Sequence, residues 1–402
     1  MTHTGTMIFG TSGLARKIAL ELHARADRRE PLLGVVSEAF GILPTGFPCT
    51  HLGSVADLPA IIASTSPQRV VVALDNAYQH LPADRLIEAQ ASERIMVETG
   101  TDAFERLTGK LAIEALPGST ILFSGAFRPR TTALVFGRLF SIVGAVLGLL
   151  ITLPLVPLMA VAIRLDSPGP ILFVQERIGF GGRKFNLLKF RSMSAEQAKY
   201  SEWVGDNEGT ITRVGRLLRK FRLDEIPQFI NVILGDMNLV GPRPHPESNR
   251  QLFVLVARNA AQCGDQIPYY SLRQTIRPGI TGWAQVRYKY ANGLNEEIEK
   301  LRYDLYYIKH CSAWLDLRIL FETIKVVLVG HAHGRATQQS AYGSGAADAG
   351  GAGPDARDAR SEAAPSASIA RIQPSTKLRW MRSRDGDRPV GRDAERGRYS
   401  NK

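Results

Sequence analysis

The stretch from residue 139 to residue 163 contains no charged residue, and it constrains the fold of this chain more than any other feature. A helix needs about 20 apolar residues to cross a bilayer core, so the stretch is long enough to do so. Pro154 and Pro157 lie inside it. Proline interrupts or kinks a helix because it lacks the N–H and clashes with the preceding turn. The sequence therefore predicts an apolar segment that breaks at these prolines.

Both flanks of the apolar stretch are basic. The positive residues are Arg128, Arg130 and Arg138 before it, and Arg164, Arg177, Arg183 and Lys184 after it. Basic residues beside membrane segments stay on the cytoplasmic side. We therefore expect a re-entrant helical hairpin with both ends in the cytoplasm. Two alternatives remain open: a single span with the two halves of the chain on opposite sides, and a buried helix of a soluble protein.

Residues 1–125 are predicted to form a Rossmann-like, doubly wound α/β domain. Short, all-apolar strands at 6–10, 32–36 and 69–74 alternate with helical segments, which is typical of a parallel sheet covered by helices. The turn Gly10-Thr-Ser-Gly13 lacks the third glycine of the dinucleotide-binding fingerprint. The turn is therefore either purely structural or part of a nucleotide or sugar-nucleotide site.

Composition narrows the classes of partner. The formal net charge of +12 favours anionic partners such as lipid headgroups or phosphorylated substrates. No nucleic-acid recognition motif accompanies it, so we expect no nucleic-acid partner. The three cysteines lie far apart, which excludes a disulfide framework and fits a reducing compartment. Residues 335–402 have few aliphatic side chains and no periodicity, which predicts a disordered tail.

The segment 219–235 is the richest in chemistry. Three cations precede the adjacent carboxylates Asp224 and Glu225, and an apolar stripe at helical spacing follows them: Ile226, Phe229, Ile230, Ile233 and Leu234. Pro227 suits only the first turn of a helix, which therefore begins near Asp224, and Gly235 suits its end. An ionised carboxylate at a helix start, where phosphate also binds, suits nucleophilic attack on phosphorus. A capping Asp with a surface Glu is the simpler alternative.

Further motifs lie around this segment. Two cations alternate with an aromatic residue in Lys189-Phe-Arg191, and Arg243 lies between two prolines on a stiff loop. A planar guanidinium on such a loop suits phosphate binding. The segment 277–287, which ends at Arg287, contains glycines and cations that fit a substrate cleft, and Asp304 follows in Tyr303-Asp-Leu-Tyr. Each motif taken singly also has a structural explanation, such as a surface ion pair.

Taken together and in this order, the motifs resemble the bacterial sugar transferases. These are the monotopic phosphoglycosyl transferases, also called polyprenyl-phosphate hexose-1-phosphate transferases. The resemblance extends over about residues 134–332 and includes the opening segment 166–179. The Rossmann-like segment resembles larger members of exosortase-associated exopolysaccharide systems. Those members usually have transmembrane helices before it, on which the chemistry is not expected to depend.

The resemblance implies a fold and a reaction. It implies a membrane-anchored α+β transferase domain at 132–332, located at the bacterial inner membrane and facing the cytoplasm. This domain would transfer a sugar 1-phosphate from a UDP-hexose to undecaprenyl phosphate, with release of UMP and with Mg²⁺ as cofactor. The transfer would initiate an exopolysaccharide repeat unit. The resemblance also admits a homodimer, and it leaves the identity of the hexose open.

The resemblance also implies residue roles. Asp224 is expected to be the nucleophile that forms a covalent phosphosugar intermediate, with Glu225 as its partner. The expected substrate-binding cations are Lys189, Arg191, Arg243 and Arg287, and the expected metal ligands are Asp224 and Asp304. His245 departs from the family pattern, because many members have an aliphatic residue after the Pro-Arg-Pro sequence.

The same residues admit two other functions. A catalytically inactive, membrane-anchored regulator could have the same fold, but the intact carboxylate pair and phosphate-binding cations argue against it. An NAD-dependent sugar-nucleotide epimerase would need the full glycine fingerprint and a Tyr-x-x-x-Lys motif, and the N-terminal segment has neither.

Overall fold

The computed structural model describes residues 5–25, 30–38, 43–74, 81–93, 95–116, 118–129, 131–194, 210–247, 269–288 and 294–329. The predicted tail, 335–402, lies outside these residues. Strands and helices alternate in the first part of the chain, and helices with two small sheets make up the rest.

Five strands near the N-terminus form one sheet in which all neighbouring strands are parallel. They are β1 (Thr6–Phe9), β2 (Leu32–Ser37), β3 (His51–Ser54), β4 (Arg69–Val72) and β5 (Met96–Thr99), in the order β3-β2-β1-β4-β5. The accompanying helices are α1 (Gly13–Arg25), α2 (Leu58–Thr65), α3 (Ala83–Glu93) and α4 (Gly100–Thr108). The predicted α/β class with a parallel sheet is therefore confirmed.

Helices cover both faces of this sheet. Ile8 of β1 packs in an apolar layer with α1 and α4, whereas its neighbours Met7 and Phe9 pack on the opposite side with α2 and α3. Burial on both faces explains why the strands are apolar without alternation. The turn after β1 requires glycine at position 10, because its φ is 114° and a Cβ there would lie 2.3 Å from the carbonyl oxygen of Ala73.

The uncharged stretch is divided between two helices. After α5 (Gly118–Phe123) come α6 (Thr131–Thr152) and α7 (Leu155–Asp166). Pro154 is the residue that caps the start of α7, and Pro157 lies in its first turn. Among the helices that the structure describes, α6 is the one long and apolar enough to cross a membrane, with a mean hydropathy of 2.3.

The remaining elements surround these two helices. Strand β6 (Leu172–Ile178) pairs in antiparallel fashion with β7 (Lys184–Phe190), and β8 (Asn238–Val240) pairs in parallel with β9 (Gly279–Thr281). The helices are α8 (Arg213–Lys220), α9 (Gln228–Leu234), α10 (Trp283–Arg287), α11 (Leu294–Lys309) and α12 (Ala313–Val329).

The largest buried apolar cluster joins segments that are far apart in the chain. It contains Leu111 from the segment after α4, Ala145 from α6, Leu305 from α11 and Ile319 from α12. Helix α7 packs through Met159 in a separate cluster with residues of β7 and α8. Both apolar helices thus pack against the segments that contain the candidate site residues.

Candidate active site

One buried amide holds β7 and α9 together. The side chain of Asn231 donates to the carbonyl oxygen of Asn186 (2.8 Å) and accepts from the backbone N–H of Leu188 (3.0 Å). Asn231 is 1% exposed, so both bonds are shielded from water. The clamp holds the segment leading into α9 beside Lys189, whose charge interacts with both carboxylates of that segment.

The two carboxylates lie in a 3₁₀ turn, Leu223–Glu225, that precedes α9. Pro227 has no N–H to donate to the carbonyl of residue 223, and the N–H of Ile226 bonds to it instead at 3.3 Å. That i→i+3 bond is the defining bond of a 3₁₀ turn. The α-helix therefore begins at Gln228 and not at the carboxylates, and it ends at Gly235 in the left-handed conformation as predicted.

The last three residues of the predicted apolar stripe point away from the core, whereas its first residue, Ile226, is buried. Ile230, Ile233 and Leu234 are 39%, 41% and 71% exposed. The residues of this helix that are buried are Gln228, Asn231 and Val232. Phe229 lies against Gly148 of α6, where a Cβ would come within 2.7 Å of its ring. The exposed residues of the stripe are thus part of an outer apolar surface beside α6.

Two arginines neutralise the negative charge of Glu225. It is buried, and its Oε1 lies 3.1 Å from a guanidinium nitrogen of Arg243 and 3.5 Å from one of Arg222. Burial raises the pKa of Glu225, but the charges of Arg243, Arg222 and Lys189 outweigh it and lower that pKa to about 2. Glu225 is therefore ionised at neutral pH and engaged by its partners.

Asp224 has a different environment. It is 7% exposed, and no described residue gives its carboxylate a hydrogen bond or an ion pair within 4.0 Å. Burial and the adjacent charge of Glu225 raise the pKa of Asp224, while Lys189, Arg219 and Arg243 act in the opposite direction. An unpartnered carboxylate facing several cations has a free oxygen with which to attack or to bind a ligand.

Lys189 and Arg243 supply positive charge beside the carboxylates. Burial and the nearby charge of Arg243 lower the pKa of Lys189 to about 8, and Glu225 and Asp224 act against that shift. Arg243 is about one third exposed, with one nitrogen on Glu225. Its partly exposed guanidinium is therefore accessible to an incoming anion while it binds Glu225.

Arg191 and Arg287 lie in other surroundings. The Arg191 side chain is buried and donates to the carbonyl oxygen (2.6 Å) and hydroxyl (2.9 Å) of Ser167, just after α7. This contact secures the end of α7 on the end of β7. Arg287 is exposed on α10 and stacks on the ring of Trp283 at 4.3 Å. Among the described residues, the contacts of neither arginine include the carboxylate pair.

Asp304 belongs to a second polar cluster. It lies 2.9 Å from Arg273, and burial raises its pKa to about 6 even though Arg273 acts to lower it. No group of three or more His, Cys, Asp or Glu side chains suited to a metal ion occurs in the described part of the chain. Asp224 offers a free carboxylate oxygen, which fits Mg²⁺ that takes its other ligands from a diphosphate and water.

Two buried arginines, Arg177 and Arg273, carry no clear functional signal in the sequence. Both donate to the loop that carries Arg243. Arg177 lies on β6, where a positive residue inside a partly apolar strand is a weak signal of a buried role. Arg273 lies in a 3₁₀ turn, Tyr270–Thr275, and no sequence pattern distinguishes it from a surface arginine.

Comparison with known proteins connects this geometry to a family. A family model described as bacterial sugar transferase matches residues 132–330. The chain is 40% identical over 227 residues to the UDP-N-acetylgalactosamine-undecaprenyl-phosphate N-acetylgalactosaminephosphotransferase of Aeromonas hydrophila, covering 56% of this chain and 51% of that protein. It is also similar to two UDP-glucose:undecaprenyl-phosphate glucose-1-phosphate transferases. With that of Escherichia coli it is 42% identical over 190 residues, covering 46% of this chain and 39% of the relative.

The other is from Caulobacter vibrioides and is 39% identical over 205 residues, covering 50% of this chain and 72% of the relative. The chain thus spans about half or less of the length of the first two relatives, and most of the third. The residues that the family model matches include α6 from its second residue, α7 and the turn that contains the two carboxylates. They do not include the five-stranded sheet.

Proposed function

The chain belongs to the bacterial sugar transferase family, and we propose that it transfers a sugar 1-phosphate from a UDP-hexose to undecaprenyl phosphate, releasing UMP. The transfer would initiate an exopolysaccharide repeat unit. The names of the relatives support the lipid acceptor and the type of donor. The observation that carries the proposal is Asp224, a buried carboxylate with no partner among the described residues, placed among cations that suit a diphosphate.

In the first step, a carboxylate oxygen of Asp224 attacks the phosphorus that bears the sugar. The new aspartyl P–O bond forms as the bond to the UMP oxygen breaks, and UMP leaves with that electron pair. Lys189 and Arg243 offset the repulsion between a carboxylate and a diphosphate. Asp224 would hold Mg²⁺, whose positive charge would stabilise the negative charge that develops on the departing UMP oxygen.

In the second step, an oxygen of undecaprenyl phosphate attacks the same phosphorus, and Asp224 leaves as the free carboxylate. Two displacements let a soluble donor and a membrane-embedded acceptor use one site in turn. Glu225 remains ionised throughout, because Arg243 and Arg222 hold its pKa low. Its role is to fix the Arg243 guanidinium beside the nucleophile.

A direct assay tests the function. Purified full-length protein in a membrane mimetic is incubated with Mg²⁺, undecaprenyl phosphate and each of a panel of UDP-hexoses. We expect one UDP-hexose of the panel to give UMP and a lipid-linked sugar diphosphate, both detected by mass spectrometry. Failure of every donor to give lipid product would overturn the proposed function.

We further propose a membrane arrangement in which α6 and α7 form a re-entrant hairpin. The interruption at Pro154 and the exposed apolar side chains along α6 support it. Helix α12 has a second exposed apolar stripe at helical spacing, consisting of Trp314, Leu317, Phe321 and Ile324. A helix with such a face suits the membrane–water interface. The site would then lie at the cytoplasmic surface of the inner membrane.

The organisation of the N-terminal part is also a proposal. Its strand order, β3-β2-β1-β4-β5, and its helices on both faces support a Rossmann-like, doubly wound domain over residues 1–125. The transferase domain then follows at 132–332.

Cysteine labelling tests the hairpin. In a variant without native cysteines, single cysteines next to Arg130 and next to Lys184 are treated in intact cells with a membrane-impermeant reagent. Neither position should react until the membrane is permeabilised, because both ends lie in the cytoplasm. Reaction of either one from outside would establish a full span. Replacing Pro154 and Pro157 with Ala should shift the segment towards spanning, since the break is lost.

The pH dependence of UMP release tests the roles of Lys189 and Asp224. Asp224 must be ionised to attack, so activity should fall as the pH drops through its raised pKa. Lys189 must be charged to bind phosphate, and its charge is lost as the pH rises through about 8. We expect a bell-shaped profile of kcat/KM for the donor. Lys189→Arg should remove the alkaline decline, because arginine stays charged.

Lys184→Arg is the matched control, because Lys184 lies on the same strand and its exposed side chain pairs with Glu176 at the surface. This control should keep the profile of the wild type. An unchanged alkaline decline in Lys189→Arg would assign that decline to another group.

A further inference from the structure

The loop Pro242–His245 is held by its carbonyl groups. All four consecutive carbonyl oxygens accept a hydrogen bond from another part of the chain. Backbone N–H groups donate to the first and last: Gly279 to Pro242 and Ile178 to His245, both at 3.0 Å. Arginine side chains donate to the middle two: Nη2 of Arg273 to Arg243 (2.9 Å) and Nη1 of Arg177 to Pro244 (2.8 Å). Pro242 and Pro244 have no N–H, so carbonyl oxygens are the backbone groups by which these two residues can be anchored. Its shape depends on these four donors.

Two of the donors are buried guanidinium groups. Arg177 is 3% exposed, and the Arg273 side chain is 9% exposed. Burying an arginine is costly unless its charge and hydrogen bonds are satisfied. Arg273 has Asp304 at 2.9 Å, and Arg177 has the Gln175 amide oxygen at 2.6 Å. Each guanidinium is thus oriented by one group while it donates to the loop.

Arg273 also contacts the residue that ends the loop. Its Nη1 lies 2.9 Å from Nδ1 of His245, whose ring is buried and within 2.9 Å of the Tyr270 hydroxyl. Burial and the charge of Arg273 lower the pKa of His245 well below its usual value. A neutral imidazole accepts a hydrogen bond from a guanidinium, which a charged ring would repel. The histidine that departs from the family pattern therefore fits the neighbouring arginine.

We propose that Arg273 and Arg177 are positioning residues that hold the Pro242–His245 loop so that Arg243 is aimed at Glu225 and at the donor diphosphate. The proposal rests on the proposed function. Neither arginine needs to touch substrate. Their contribution comes through the loop, because a fixed guanidinium loses less freedom when it binds the transition state.

The test compares Arg273→Lys with wild type in two measurements. Lysine keeps a charge for Asp304 but lacks the fork that donates to the carbonyl of Arg243 at the same time. UMP release should fall on the order of a hundredfold in kcat, with little change in KM for the donor. Hydrogen exchange of the Ile178 and Gly279 amides should become faster, because these amides donate to the loop. Arg177→Lys should give the same pair of effects.

Arg216→Lys, an exposed arginine of α8, is the matched control and should change neither measurement. A double variant, Arg273→Lys with Arg243→Ala, should be no slower than Arg243→Ala alone. The inference would be overturned if the rate losses of Arg273→Lys and Arg243→Ala multiplied in the double variant. It would also be overturned if amide exchange stayed at the wild-type rate in both Arg273→Lys and Arg177→Lys. If the wild type transfers no sugar but exchange still rises in Arg273→Lys, the loop is held as described and the proposed function is what fails.

Discussion

Replacing Asp224 with asparagine is expected to reduce sugar-phosphate transfer by about 10⁴-fold or more, the scale on which loss of a nucleophile acts. An amide is far less nucleophilic than a carboxylate and carries no charge. The substitution changes one atom of a buried side chain that makes no hydrogen bond with a described residue, so the fold should survive. The measurement is the rate of lipid product formation, with circular dichroism as the check on folding.

A partial reaction identifies the attacking residue. Wild-type enzyme with donor and Mg²⁺, but without lipid, should release UMP up to one equivalent. The peptide that contains Asp224 should gain the mass of a hexose phosphate. Asp224→Asn should show neither. An adduct on another residue would reassign the nucleophile. Transfer without any adduct would indicate direct attack by the lipid phosphate in a ternary complex.

Glu225→Gln is the matched variant, because it alters the neighbouring carboxylate in the same turn. Glu225 raises the pKa of Asp224, so removing its charge should shift the acid side of the pH profile to lower pH. Its loss should also free Arg243, and turnover should fall severely. The adduct should nevertheless form slowly on Asp224, since the attacking atom remains. Absence of the adduct in this variant alone would give Glu225 a direct chemical role.

The adjacency of Asp224 and Glu225 is visible in the sequence and suffices to propose this pair as the centre of the candidate site. Gly235 ends the helix as expected, whereas Pro227 caps a helix that begins at Gln228, after the carboxylates and not at them. The outward direction of Ile230, Ile233 and Leu234 was not predictable. A stripe of the same period suits a core or a lipid surface equally well, and here Asn231 turns the polar side of the helix inwards by binding β7.

Arg191 and Asp304 illustrate a second limit. Both occur in motifs that contain plausible phosphate or metal ligands, but their partners come from elsewhere in the chain. Ser167 accepts from one nitrogen of the Arg191 guanidinium, and Arg273 pairs with the carboxylate of Asp304. Spacing along the sequence shows which chemical groups are available, and only the fold shows which of them are already paired.

Arg243→Gln is expected to have the second largest effect on turnover. Loss of one charged group that stabilises a transition state typically costs about 10² to 10³ in rate. Arg243 also lowers the pKa of Asp224, so its removal should raise that pKa further. The acid side of the UMP-release profile should then move to higher pH, and the deficit should be larger at pH 6 than at pH 8.

Arg243→Lys separates the two contributions of Arg243. Lysine keeps the positive charge, so the pKa of Asp224 and the shape of the pH profile should stay close to wild type. It lacks the planar fork that binds Glu225 and a phosphate together, so the rate should still fall. Arg183→Gln, an exposed change beside β7, should leave both rate and profile unaltered. Equal impairment of Arg243→Gln at every pH would mean that Arg243 binds phosphate without controlling the ionisation of Asp224. The proposed effect of this loop on the pKa of the nucleophile would then be wrong.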